Sequence, residues 1–357
     1  MLNYILWFDE CNLRCVREVG GKAANLGEMV SAGIRVPPGF AVTKDAYQTS
    51  VIQHVTWNEI ERVLNGFNPE DLGLVAAAGR SVRGLIRQVP LPSEIEECIR
   101  TAYAQLCERC GGQEIPVAVR SSATAEDLAG ASFAGQQETY LWVRGADEVV
   151  HKTIECWTSL FTDRAISYRA KMGFPGAGLA IAVAIQQMVS AKAAGVMFTV
   201  DPVTGDASRI IIEANWGLGE SIVQGMVVPD HFEVDKASGE ILDRQIGEKS
   251  QRVVPEERGT RVEPVPTEER MMFCLDDAEI GELAKLAVAV EKHYGAPEDI
   301  EWAIDRHLPL PDNVFLLQAR PVTVAGRKPS QDYGKEQDKD ATDHLIDLML
   351  KSTFKRS

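Results

Sequence analysis

The stretch IEWAIDRHLPLPDNVFLLQARPVT, Ile300 to Thr323, sets an acid, Glu301, near the start of one apolar run and Gln318 and Arg320 near the end of another. Two adjoining strands fit this pattern, because Gln318 and Arg320 are two residues apart and so leave one strand face together. A carboxylate and an amide oxygen suit a hard cation such as Mg²⁺, and a guanidinium beside them suits phosphate oxygens. Asp299 and Glu301 share a face in the same way, so four polar groups converge if the two strands are neighbours. The plainer alternative is an ion pair across a hairpin. Buried polar groups left unpaired would cost several kcal/mol, however, and a bound cation with a polyphosphate supplies the missing partners.

Working outward, 357 residues allow two or three packed units, and 45% hydrophobic residues is an ordinary globular fraction. No run of eighteen apolar residues occurs, and the N-terminal MLNYILWFDE has no basic region before its short apolar patch, so neither a membrane span nor a signal peptide is expected. Seven cysteines without a disulfide-scaffold spacing fit a reducing compartment, and the expected location is cytoplasmic. Cys107 and Cys110 form a lone C-x-x-C with no second pair or histidine to complete a zinc site. A formal net charge of −15 speaks against nucleic acid as a partner.

GGKAANLGEMVSAG, residues 20–33, opens with two glycines and continues with Ala23, Leu26 and Met29 at helical spacing, which places Lys22 at a helix start. There its ammonium would stand beside backbone donors, a good arrangement for phosphate, although a solvated lysine fits as well. Residues 55–110 read as several helices. VAVRSS then reads as a strand that ends in Arg120, Ser121 and Ser122, and Arg120 can grip phosphate bidentately as no lysine can. The loop from Ala123 to Gln137 holds Gly130, Phe133 and Gly135 among small residues, a composition suited to closing over phosphates or to a plain surface loop, and the strand ETYLWV follows.

Residues 147–172 return to helix, and LAIAVAIQQMV and AAGVMFTVDPVTG read as two buried strands. Gln186 and Met188 share a face by period two, where Met188 could cover an adenine or simply fill core. IIIEANWGL is a further strand, residues 251–270 are expected to form an irregular connection, and a helix is expected from about Asp277 to Tyr294. Beyond Ala325 a polar segment reads as a linker, with LIDLML, Leu345 to Leu350, as a short helix that docks on this chain or a partner.

Seven segments in order, GGKAANLGEM, VRSSATAEDLAGASFAGQQETYL, QQMV, MFTVDPVTG, EANWGLGE, DIEWAID and LLQARPVT, resemble the nucleotide-binding part of phosphoenolpyruvate synthase, a pattern shared with pyruvate phosphate dikinase and rifampicin phosphotransferase. The resemblance runs from about Val19 to Val324 and implies an α+β ATP-grasp fold, two lobes with ATP between them. The lobes expected are residues 1–190, with a helical elaboration, and 191–326, with the metal and phosphate site, followed by a charged tail over 327–357. Carried over, the family pattern implies that Lys22 and Arg120 contact phosphates, that Gly135 and Thr139 belong to the covering loop, and that Gln186 and Met188 flank the adenine. It further implies that Glu301 and Gln318 hold Mg²⁺, Arg320 neutralises the terminal phosphates and Asp299 supports the metal shell. Ala129-Gly130 departs from the Pro-Asp often found in synthases.

The family also carries a phosphorylated histidine after a Thr-Ser-His-like segment, and none of His54, His151, His231, His293, His307 and His344 lies in such a segment. The resemblance therefore implies that this chain charges a histidine on a separate subunit, which would also hold the acceptor-binding domain. ATP would give its pyrophosphoryl group to that histidine, releasing AMP and then phosphate. As a chain of this size it resembles the smaller subunit of phenylphosphate synthase, whose final acceptor is phenol. A non-catalytic nucleotide-sensing module and a piece of a longer synthase or antibiotic phosphotransferase are the competing readings.

Overall fold

A computed structural model describes residues 3–54, 56–65, 68, 70–123, 138–171 and 180–322. Gly130, Phe133 and Gly135 of the expected covering loop, and the whole tail from 327, lie outside the described residues. The described chain is α+β and carries two large antiparallel sheets and one two-stranded hairpin. The first contains β1 (Ile5–Trp7), β2 (Gly39–Val42), β3 (Val117–Ala123), β4 (Thr139–Val143) and β5 (Ile181–Gln187) in the order β1-β2-β5-β3-β4. The second contains β6 (Ala191–Phe198), β7 (Arg209–Trp216), β8 (Asp230–Asp235), β9 (Ile241–Gln245), β12 (Glu298–Asp305) and β13 (Val314–Pro321) in the order β13-β12-β6-β7-β8-β9.

Side-chain alternation divides the core. In β5 the large residues Ile181, Val183 and Ile185 face a cluster containing Val117, Val119 and Trp157. That cluster is completed by α2 (Lys44–Tyr47), α3 (Trp57–Asn65), α4 (Leu72–Gln88), α5 (Ser93–Arg109), α6 (Ala146–Thr158) and α7 (Asp163–Lys171). Ala184 faces the other way, toward Ala23, Leu26 and Met29 of α1 (Val16–Ser31). The same cluster continues into Met197, Ile212, Phe232, Ile300, Trp302 and Leu316 of the second sheet, and into Ile280, Leu283, Ala287 and Val290 of α10 (Asp277–Tyr294). Small alanines on β5 leave room for a helix to lie close, so α1 serves as a common wedge that ties both sheets into one core. The helix α10 begins with a capping box, Asp276 and Glu279 each bonding the other's backbone nitrogen, and ends at Gly295 in the left-handed conformation.

The connection expected over 251–270 is instead a hairpin of β10 (Gln251–Pro255) and β11 (Thr260–Pro264), followed by the single turn α9 (Thr267–Arg270). Part of its charge pairs across the strands: Arg252 Nε donates to Glu263 Oε1 at 2.8 Å, and Arg261, two residues before Glu263 on the same strand, brings Nη2 to 2.7 Å from Glu263 Oε2. Buried Val253 fixes the hairpin to the exit of β7, where a short helix α8 (Glu220–Val223) follows and Leu218 N donates to Val253 O at 2.9 Å. Strands β8 and β9, not foreseen in the sequence, extend the second sheet beyond β7.

Beneath β8 a fully buried ion pair joins Lys249 to Asp230, whose second oxygen accepts from Cys274 N at 2.9 Å. Removing one member leaves an uncompensated charge in the core. Asp230→Ala is expected to lower the unfolding free energy by roughly 3–5 kcal/mol in urea titrations. A loss below about 1 kcal/mol, the level of an exposed pair, would show that the pair is not bearing on stability.

Candidate functional site

The first sheet presents one guanidinium to the second. Arg120, in the middle of β3, is 9% exposed and points out of its own sheet onto β12 and β13. Its Nη2 donates to Glu301 Oε2 at 3.0 Å and to Gln318 Oε1 at 2.7 Å, and its Nη1 donates to Leu317 O at 3.1 Å. The antiparallel register explains the convergence: Glu301 stands opposite Gln318, and Asp299 opposite Arg320, so the four side chains leave one face in two adjacent rows. Arg320 in turn holds Asp299 with Nε at 2.8 Å and Nη2 at 2.7 Å. Burial raises the Asp299 carboxyl above its ordinary range, against the opposing pull of Arg320.

Lys22 approaches from the side through a tight turn. The helix α1 is interrupted at Gly20, whose φ of 73° and ψ of 169° are non-helical, so Lys22 sits just inside the second helical segment. A Cβ on Gly20 would lie 2.2 Å from Ser122 O, which makes glycine obligatory at this approach. The same contact lets Ala23 N donate to Ser122 Oγ at 3.3 Å and Lys22 Nζ to Ser121 O at 3.1 Å. Thr139, the exposed first residue of β4, stands opposite Arg120.

The adenine pair is less regular than alternation suggested. Gln186 is buried in β5 between Gly39 and Ala118, and its Nε2 has no hydrogen-bond partner among the described residues. Met188 falls one residue beyond the end of β5, with its N donating to Pro116 O at 2.9 Å, and packs with Leu141, Val189, Ala191 and Leu317. The strand thus ends at Gln187, one residue before Met188, while the Met188 N bond to Pro116 O continues the β3–β5 ladder by one step. Gly135, the remaining residue assigned to the site, is outside the described residues.

Three parts of the site escaped sequence reading. Leu317 O and Ser121 O act through the backbone and leave no mark on residue type. Glu298 does leave one, since it shares the face of Ile300, a core residue, by alternation. Its side chain is 1% exposed, Oε1 has no partner, and burial with nearby Asp299 and Glu291 pushes its pKa up to about 8. Among the described residues no group of three or more histidine, cysteine or acidic side chains is placed to hold a metal ion, and no helix is long and apolar enough to cross a membrane.

Against known proteins, residues 16–341 match the family model described as "Pyruvate phosphate dikinase, AMP/ATP-binding domain". The chain is 43% identical to a probable phosphoenolpyruvate synthase of Methanocaldococcus jannaschii over 95% of its own length and 28% of that protein. It is 42% identical to a phosphoenolpyruvate synthase of Aeropyrum pernix over 94% of this chain and 44% of the relative. For the phosphoenolpyruvate synthase of Escherichia coli the identity is 43%, over 90% of this chain and 42% of the relative. The chain thus spans less than half the length of these curated relatives.

Two consequences can be measured. A carboxyl whose folded pKa lies above its unfolded value stabilises the fold fully below the unfolded pKa, and that contribution is lost as pH rises toward about 8. Glu298→Gln, which cannot ionise, should therefore gain stability relative to wild type as pH goes from 5 to 8.5 in parallel urea titrations; a pH-independent difference would contradict the buried neutral carboxyl. Gly20→Ala should lower the unfolding free energy by about 1–3 kcal/mol from backbone strain alone, and equilibrium dialysis should find nucleotide affinity reduced. Unchanged affinity in the folded variant would separate the turn from the site.

Proposed function

The chain belongs to the family of pyruvate phosphate dikinase AMP/ATP-binding domains, and we propose that it is the ATP-activating unit of a dikinase-type phosphotransferase. Its two lobes, taken as residues 1–190 and 191–326, would form an ATP-grasp cleft with the triphosphate between β3 and the β12–β13 pair. The observation that supports this most is the meeting of Arg120 with Glu301 and Gln318 across the two sheets. Two oxygens that reach one cationic nitrogen at 3.0 and 2.7 Å can also converge on one metal ion. Both are hard donors, so the pair fits Mg²⁺. When bound, the metal neutralises phosphate oxygens and screens their charge from an incoming nucleophile.

The remaining roles follow from position. Lys22 and Arg120 would grip phosphate oxygens, and Arg320 would exchange Asp299 for the terminal phosphates, with Asp299 left to support the metal shell. Thr139 would lie under the covering loop with Gly135. Gln186 would offer its unpartnered amide nitrogen to the adenine, and Met188 an apolar cover.

In the proposed reaction a histidine nitrogen on a partner subunit attacks the β-phosphorus of ATP. A P–N bond forms, the bond from that phosphorus to the α-phosphate oxygen breaks, and AMP leaves. Water then removes the γ-phosphate as inorganic phosphate, and the remaining phosphoryl passes to the acceptor. This chain needs no nucleophile of its own; it orients ATP, balances charge and excludes water. The names of the relatives point to pyruvate as the final acceptor, and the resemblance to phenylphosphate synthase points to phenol. The setting we propose is cytoplasmic, with no nucleic-acid or membrane partner.

ATP labelled separately at the β- and γ-positions, incubated with Mg²⁺, this chain and a polypeptide carrying the acceptor histidine, is expected to give AMP, γ-label in phosphate and β-label on the partner. Adding pyruvate or phenol to the labelled partner then identifies the acceptor. Arg320→Ala is expected to slow AMP formation by roughly 100-fold or more, the usual cost of losing one positioned charge donor. ATP binding with no transfer to any such partner would favour a nucleotide-sensing module instead.

A further inference from the structure

We propose that the guanidinium of Arg120 and the divalent cation are alternative occupants of one oxygen pocket, so that the metal enters that pocket only as the triphosphate draws Arg120 out of it. The proposal rests on reading Glu301 and Gln318 as the metal's ligands and adds an order of events to that reading.

The geometry carries the argument. Arg120 Nη2 takes both oxygens at once, Glu301 Oε2 at 3.0 Å and Gln318 Oε1 at 2.7 Å, which is where a cation bridging them would stand. Divalent magnesium or manganese binds such oxygens at about 2.0–2.2 Å. A metal held by both oxygens on the side that Nη2 occupies would overlap it, and on any side like charge at such short range opposes holding the two together. The other cationic side chains of the site are placed differently: Arg320 is held by Asp299, and Lys22 Nζ donates to Ser121 O. Arg120 is the cation that the hydrogen bonds described above set on both of the metal's oxygens.

Arg120 is also incompletely satisfied where it lies. Its Nη1 and Nη2 have three acceptors between them, but its buried Nε has no partner. A buried donor without an acceptor is costly, and a phosphate can take Nε and Nη2 together in the parallel two-bond geometry that guanidinium favours. Glu301 and Gln318 offer one oxygen each to a single nitrogen and leave Nε unserved. A triphosphate in the cleft would therefore offer Arg120 the bond it lacks and, in the same movement, free two oxygens for the metal. The order is built into side-chain geometry and needs no rearrangement of the strands.

Manganese binding, followed through the electron paramagnetic resonance signal of the free aqueous ion and read against a protein-free control with the same ATP, tests this with the full chain. Wild type is expected to bind Mn²⁺ weakly without nucleotide and to take up one ion when ATP is added. Arg120→Met, which keeps bulk and removes charge, is expected to bind one Mn²⁺ without nucleotide about ten- to a hundredfold more tightly than wild type, the span over which a close like charge shifts ionic equilibria. Glu301→Gln added to Arg120→Met should abolish that gain, which assigns it to this pocket. Should Arg120→Met not fold by circular dichroism, Arg120→Lys serves, with a smaller expected gain because its shorter reach holds both oxygens less well. Equal Mn²⁺ affinity in wild type and the Arg120 variant, lost in both on Glu301→Gln, would overturn the competition and leave the metal site standing. No Mn²⁺ uptake by wild type even with ATP would overturn the metal site and the competition together.

Discussion

A nearly buried guanidinium needs acceptors, and Arg120 finds them on a different sheet from its own. That one requirement relates the two halves of the molecule. Leaving Arg120 unpaired would cost several kcal/mol, so β3 can hold it inward only where Glu301, Gln318 and Leu317 O meet it. Those three acceptors in turn demand the β12–β13 register, in which Glu301 faces Gln318. The apolar counterpart is α1, which packs on β5 of the first sheet and on β13 of the second, so one core serves both sheets. Polar contact and apolar wedge approach the same cleft from two sides.

Charge in the cleft is arranged in opposed pairs. Arg120 opposes Glu301, and Arg320 opposes Asp299, in two adjacent rows of one strand pair. Such an arrangement holds a stable resting structure, yet every pair is one that a metal and a polyphosphate can replace without leaving a charge unpaired. In the proposed reading the acids would pass from arginine to metal as the arginines pass from acid to phosphate. Glu298 lies behind this face, where burial raises its carboxyl well above the ordinary range.

Much of this was legible in the sequence. Period-two alternation in DIEWAID and LLQARP gave both strands and placed Asp299, Glu301, Gln318 and Arg320 on one face, as their side chains lie. The glycine pair before Lys22 was read as a helix start; the structure begins α1 earlier, at Val16, and breaks it at Gly20, where the approach to Ser122 O leaves no room for a side chain. What sequence reading missed was tertiary. The hairpin at 251–264 looked like a charged loop because its arginines and glutamates satisfy one another across strands rather than in solvent. Met188 lies one residue past the end of β5, against the cluster of Val189 and Ala191 between the sheets, a placement that alternation alone does not give. The bond of Arg120 to Leu317 O spans 197 positions in sequence and runs to a backbone atom, so no residue type could announce it.

The most direct measurement is a crystal structure of the chain with Mg²⁺ and a non-hydrolysable ATP analogue. The account predicts the triphosphate between β3 and the β12–β13 pair, a metal ion bound by Glu301 and Gln318, and the Arg120 guanidinium moved onto phosphate oxygens. A nucleotide bound elsewhere, with Arg120 still on Glu301 and Gln318, would contradict it.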